Sequence, residues 1–219
     1  MGVVNCLVAH EIRNPLSTIE GYMEGLIDGV MPPSRETYEA VAREAHRLKR
    51  LTRDLSTLSK AQEGAIEYDL ESLDLGAIAR AVIETLEPQY EINEVALRVG
   101  IDETLPIKGD ADRLAQALTN LLGNALAHTP PGGQVSVVGA SRDGQCTLAI
   151  TDTGPGVPPE VQERMLNPFY TTRKQGTGMG LSITRSIVEA HGGQFWINTE
   201  VSSGVSFHFT LPIGDDSLS

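Results

Sequence analysis

Three groups of residues have types and spacings that could do chemistry. The first is His10-Glu11, with Asn14 one helical turn further on. A carboxylate accepting a hydrogen bond from one imidazole nitrogen fixes the ring tautomer and makes the other nitrogen a better nucleophile. By position alone His10 is an ordinary solvated histidine, because most exposed polar residues carry no function. The second group is Asn120 and Asn124, four residues apart in a helical segment. Two amides on one helix face can bond back to the preceding turn, or can offer neutral oxygens to a hard cation such as Mg²⁺ that also takes phosphate oxygens. The third is glycine-rich: Asp152-Thr153-Gly154-Pro155-Gly156 after a strand, and Gly176-Thr177-Gly178-Met179-Gly180 before a helix. Such glycines make tight turns anywhere, but they also let backbone approach a ligand, and free N–H groups at a helix start cradle phosphates.

The elements that must position these residues follow from periodicity. Between Val3 and Val30, Val8, Ile12, Pro15, Ile19, Tyr22 and Leu26 recur at steps of four and three, the spacing of one helical face, in a helix expected to stop near Gly29. Leu16, Met23 and Val30 widen that face. In this register His10 and Asn14 lie outside the apolar stripe. Pro15 inside the helix costs about 3 kcal/mol or a bend, which implies local distortion beside His10. Met31-Pro32-Pro33 ends the helix, and Ser34 caps a second one that runs to Ala61 with Val41, Ala45, Leu48, Leu55 and Leu58 facing inward. Two helices with one broad apolar face each cannot hide it alone. A second copy of the chain would complete a four-helix bundle.

After Glu63 the pattern changes. Strands are predicted at Tyr68–Leu73, Val95–Ile101, Val135–Ala140, Cys146–Thr151, Gln194–Asn198 and Val205–Leu211, and helices at Leu75–Glu87, Asp110–His128 and Met179–Ala190. This is an α+β sandwich with helices on one face of a mixed sheet. The predicted domains are 1–63, 64–213 and a frayed tail 214–219, with a flexible joint near Gly64.

The composition, 40% hydrophobic and 21% charged, is that of a folded globular protein rather than a disordered one. A net charge of −12 with no basic stripe argues against nucleic acid as a partner. Cys6 and Cys146 have no metal-ligand spacing and suit a reducing compartment. No apolar run reaches the ~20 residues of a membrane span and no leader profile is present, so a soluble, cytoplasmic chain is expected.

The run Ala9-His10-Glu11-Ile12-Arg13-Asn14-Pro15-Leu16 resembles the H-box of the dimerisation and histidine-phosphotransfer domain of two-component sensor histidine kinases. Downstream and in order, the asparagine helix, the Asp-x-Gly-x-Gly turn, Pro168-Phe169-Tyr170-Thr171-Thr172 and the second glycine run resemble the N, G1, F and G2 boxes of the Bergerat-type ATP-binding domain of that family. The resemblance implies that His10 is the phospho-acceptor and Glu11 its general base, with Asn14 orienting water for dephosphorylation of a partner regulator. It implies ATP and Mg²⁺ as cofactors, with Asn124 the chief metal ligand and Asn120 nearby. Asp152 would accept the adenine amino proton, with Gly154 and Gly156 in its turn, and the ring of His128 would cover the base unless it merely satisfies helix-end carbonyls. Gly176, Thr177, Gly178, Gly180 and Leu181 belong to the phosphate loop and the helix it opens. Thr172, Arg173 and Lys174 fall in the lid, where the two cations are the expected phosphate contacts. His191 is expected to be structural. The implied partners are a second copy of the chain and a response-regulator receiver domain.

Two departures stand out. Ala127 occupies a position that carries Lys or Arg in the family, and the lid is short. Only nine residues precede His10, so a sensor region is expected to be missing upstream. Two rivals are a dimeric nucleotide-binding scaffold without kinase activity and an ATPase of the related gyrase, chaperone and mismatch-repair group. The second has no use for an exposed histidine on a bundle.

Overall fold

The computed structural model describes residues 2–62, 67–101, 104–172, 176–199 and 203–214. Two long helices come first, α1 (Gly2–Ile27) and α2 (Arg35–Gln62), packed against each other as a hairpin. Ser34 caps α2: its Oγ accepts from the backbone N–H of Thr37 at 3.2 Å. Pro15 sits inside α1 without ending it, and it is the buried member of the stripe that also holds half-buried Val8, Ile12, Ile19, Tyr22 and Leu26. Leu16, Met23 and Val30, expected to widen that face, stay exposed in the single chain at 43%, 45% and 81%. They flank the hairpin contact rather than enter it.

On α2 the register is shifted at one place. Ala45, expected inside, is exposed, whereas Leu51 is fully buried. The inward positions are Thr37, Val41, Glu44, Leu48, Leu51, Leu55 and Leu58, a regular alternation of four and three that turns the carboxylate of Glu44 toward the seam. Apolarity alone favoured Ala45, but helical phase favours Glu44.

The remainder is a five-stranded mixed sheet of order β2-β4-β5-β7-β6, made of β2 (Ala96–Gly100), β4 (Gln134–Arg142), β5 (Gln145–Asp152), β6 (Gln194–Asn198) and β7 (Ser206–Pro212). The β2–β4 pair is parallel and the others antiparallel. Asp143 and Gly144, at φ 52 and 76°, close the β4–β5 hairpin in the two-residue turn that matches strand twist. Inward residues Val135, Val137, Leu148, Ile150, Phe207 and Phe209 form the core against α3 (Leu75–Ile92), α4 (Ala111–His128) and α6 (Gly180–Ala190).

Several elements differ from expectation. The first strand is β1 (Glu71–Asp74), shorter than Tyr68–Leu73, and it pairs with β3 (Pro106–Gly109), which alternation did not reveal because the strand is only four residues long. A short helix, α5 (Pro159–Met165), was also missed. Helix α3 runs past Pro88 to Ile92 because its last turn is anchored: buried Tyr90 donates its hydroxyl to the carbonyl of Leu122 at 2.8 Å. The expected joint at Gly64 and the tail after Gly214 lie outside the described residues. Among the described residues no helix is long and apolar enough to cross a membrane.

Candidate functional site

Helix α4 is capped by Asp110, whose carboxylate accepts from the N–H of Arg113 at 3.1 Å, and buries Leu114, Ala117, Leu118, Leu121, Leu122 and Ala125. Burying that face turns Asn120, Asn124 and His128 toward a cavity of about 1520 Å³. Asp152, Gly156, Thr172, Gly176, Thr177, Gly178, Gly180 and Leu181 line the same cavity. The structure therefore gathers residues spread over sixty positions into one site. Gly154 lies just behind the lining, where its N–H donates to Asp152 Oδ1 at 2.8 Å. Arg173 and Lys174 lie outside the described residues.

The two asparagines are not equivalent. Asn120 Nδ2 donates to the carbonyl of Gly180 at 3.3 Å, tying α4 to the start of α6. Asn124 makes no side-chain hydrogen bond among the described residues, so its amide is available to a ligand. Asp152 is buried, and that burial raises its carboxyl above the usual range, opposed by hydrogen bonds from the Gly154 and Val205 backbone and by His128. Gly204 makes this burial possible: at φ +77° it lies against Asp152, and a Cβ there would run into the Asp152 carbonyl. Gly178, at φ +67°, also packs against backbone, where a Cβ would meet the Phe169 carbonyl, so the glycine loop sits directly on the Phe169-Tyr170 segment. His191 is structural: its Nε2 accepts from the Asp110 N–H at 2.9 Å and its Nδ1 meets the Ile187 carbonyl at 2.7 Å. Ala127 is exposed and outside the lining.

His10 is elsewhere. Its side chain is 65% exposed on α1 and takes no part in the cavity. Nδ1 has Asn14 Nδ2 at 3.4 Å and Glu11 Oε1 at 4.0 Å, which leaves Nε2 as the outward nitrogen. Glu11 is held from behind by Arg47 of α2, whose Nη2 lies 3.5 Å from Oε2, and Arg47 Nη1 lies 3.8 Å from Glu44. The sequence reading missed Arg47. A charge pair entering the apolar phase of α2 was the available signal.

A second unforeseen contact joins the two halves. Thr177 Oγ1, in the glycine loop, donates to Asp54 Oδ2 on α2 at 2.7 Å.

Residues 7–64 match the family model described as the His Kinase A (phospho-acceptor) domain, and residues 109–215 match that of the histidine kinase-, DNA gyrase B-, and HSP90-like ATPase. The catalytic domain of the histidine kinase ThkA is 30% identical, with 67% of this chain and 96% of that one covered, at a TM-score of 0.62. The chain belongs to the histidine kinase family. Among other members, the histidine kinase AdeS of Acinetobacter baumannii aligns over 94% of this histidine kinase chain and 98% of its own, at TM-score 0.82 and 25% identity. Sporulation kinase A of Bacillus subtilis is 32% identical over 94% of this chain and 33% of its own length. The sensor histidine kinase ZraS of Escherichia coli is 33% identical over 94% and 44%. The chain thus spans between a third and a half of these curated relatives.

Proposed function

We propose that this chain is the phosphotransfer core of a sensor kinase, which moves the γ-phosphoryl group of ATP to Nε2 of His10 and then to an aspartate of a response-regulator receiver domain. The observation that carries this reading is the single cavity holding Asn120, Asn124, Asp152 and the Gly176–Gly180 loop, in the same chain as an exposed histidine flanked by Glu11. ThkA, 27% identical over 97% of this chain, has been solved in complex with the response regulator TrrA, which supports a regulator as the second acceptor.

Asp152 and Asn124 divide the nucleotide between them. The buried carboxylate of Asp152, which accepts from the Gly154 N–H, would accept from the adenine amino group. Asn124, with its amide uncommitted, fits a Mg²⁺ ligand that shares the ion with phosphate oxygens, and Asn120 stands one turn away. The bound cation would neutralise charge on the phosphates. The N–H groups at the start of α6 face the phosphates. At the acceptor, Glu11 draws the Nδ1 proton and so raises electron density at Nε2, which attacks the γ-phosphorus in line as the bond to the ADP oxygen breaks. Asn14, against the same ring, would orient water for hydrolysis of the regulator's aspartyl phosphate, which releases inorganic phosphate. Because His10 does not line the cavity of its own chain, transfer requires either that the nucleotide domain leave its seat on α2 or that it serve His10 of the second copy. The rival reading, a nucleotide-binding scaffold without transfer, draws on the exposed, uncharged Ala127.

One experiment separates them. Incubation with γ-labelled Mg-ATP is expected to give an acid-labile, alkali-stable label that His10→Ala abolishes. Bound ATP with no such label would establish the scaffold, and label surviving in His10→Ala would remove His10 from the mechanism.

A further inference from the structure

The cavity is not closed by the nucleotide domain alone. Arg50, Arg53, Asp54 and Thr57 of α2 line it too, at the i, i+3, i+4, i+7 spacing of one helix face. The face is fixed in place by the hydrogen bond from Thr177 Oγ1 to Asp54 Oδ2, and the same Thr177 oxygen also accepts from the N–H of Met179 at 3.4 Å, just before α6. Asp54 therefore touches the loop that cradles phosphate, with Arg53 beside it and Arg50 one turn away.

The charge balance of the cavity gives these arginines their meaning. Among the described residues its carboxylates are Asp54, Asp69, Glu71, Asp110, Asp112 and Asp152, and its guanidiniums are Arg50, Arg53 and Arg113. Arg113, near the start of α4, donates from Nη1 to Gln116 Oε1 at 3.2 Å. Arg50 and Arg53 make no ion pair within 4.0 Å with a described carboxylate; both are exposed, and both lie near enough to Asp54 to favour its charged form. A polyanion placed in a site of this sign needs local cations. The guanidinium fork is the side chain suited to phosphate oxygens.

We infer that Arg50 and Arg53 are nucleotide-binding residues that reach from the helical stem to the terminal phosphates of a nucleoside triphosphate, with Asp54 positioning the glycine loop between them through Thr177. The inference rests on the nucleotide reading of the cavity. It makes the stem a wall of the ATP site, so a triphosphate holds the nucleotide domain on α2 more firmly than a monophosphate does.

Affinities of the full chain for ATP and for AMP, measured by calorimetry at fixed salt and Mg²⁺, test this. Arg50→Gln/Arg53→Gln is expected to weaken ATP binding by roughly tenfold or more, the size of one charge-assisted contact. AMP affinity should stay within about twofold, because AMP lacks the terminal phosphates. Arg50→Lys/Arg53→Lys is expected to recover only part of the ATP affinity, because the charge returns without the guanidinium fork. ATP affinity unchanged in the Gln variant, or ATP and AMP weakened alike, overturns the inference while leaving the nucleotide site standing. Failure of the wild-type chain to bind either nucleotide removes both.

Discussion

Glu11 and Arg47 face each other across the helical hairpin, with Oε2 3.5 Å from Nη2, while the other carboxylate oxygen turns to His10. The proposed base is thus anchored to a different helix from the one that carries it. Arg47→Ala is expected to free Glu11 and leave half-buried Glu44 without a cation, costing about 1–3 kcal/mol. Urea denaturation followed by far-UV circular dichroism measures that loss, and an unchanged midpoint would show that the pair contributes nothing.

Glu11→Gln removes the base but keeps the shape. Autophosphorylation should slow by about 10²–10⁴-fold, the usual worth of a general base, with nucleotide affinity unaltered. Single-turnover labelling at saturating ATP reads the rate directly. A variant labelled at the wild-type rate would assign the proton to solvent.

The two asparagines predict different phenotypes. Asn124→Ala should lose Mg²⁺-dependent ATP binding at little cost in stability, since Asn124 bonds nothing else among the described residues. Asn120→Ala should also destabilise the fold by about 1 kcal/mol, because it cuts the bond to the Gly180 carbonyl. Thermal melts without nucleotide, set beside binding isotherms with and without Mg²⁺, distinguish the two.

Asp152 carries a pH signature. Its folded-state carboxyl titrates above 3.8 because burial disfavours the charge. The fold therefore binds that proton more tightly than the unfolded chain does. This contribution is fully present below pH 3.8 and is lost as pH rises through the raised value, so at neutral pH the ionised carboxylate is a cost to the empty protein. Asp152→Asn should raise the nucleotide-free Tm at pH 7, by roughly 2–4 °C for each kcal/mol relieved, while abolishing ATP binding. Equal melting temperatures at pH 7 would refute the assignment.

Leu16, Met23 and Ile27 of α1, with Val30 just beyond its end, leave an apolar strip exposed by 43% to 81%. A second copy of the hairpin is its expected cover. Met23→Glu/Ile27→Glu should shift light-scattering mass from twice the chain mass toward one. A wild-type monomer at micromolar concentration would count against the dimer.

Local patterns in the chain determined much of this protein by themselves. Steps of four and three set both stem helices and put His10 and Asn14 outside the stripe, because helical phase depends only on neighbours in sequence. Ser34, Asn120, Asn124 and the two glycine runs were legible for the same reason: capping, amide spacing and tight turns are local chemistry. Tertiary structure decided the rest. Strand β3 exists because β1 pairs with it, and α3 outlasts Pro88 because Tyr90 reaches Leu122. Glu44 rather than Ala45 enters the seam, where Arg47 shares it with Glu11. Above all, Asp54 and Thr177 meet across 123 positions of sequence. No periodicity encodes a contact of that separation; it follows from how α2 and α6 pack, and it brings the stem to the edge of the nucleotide cavity.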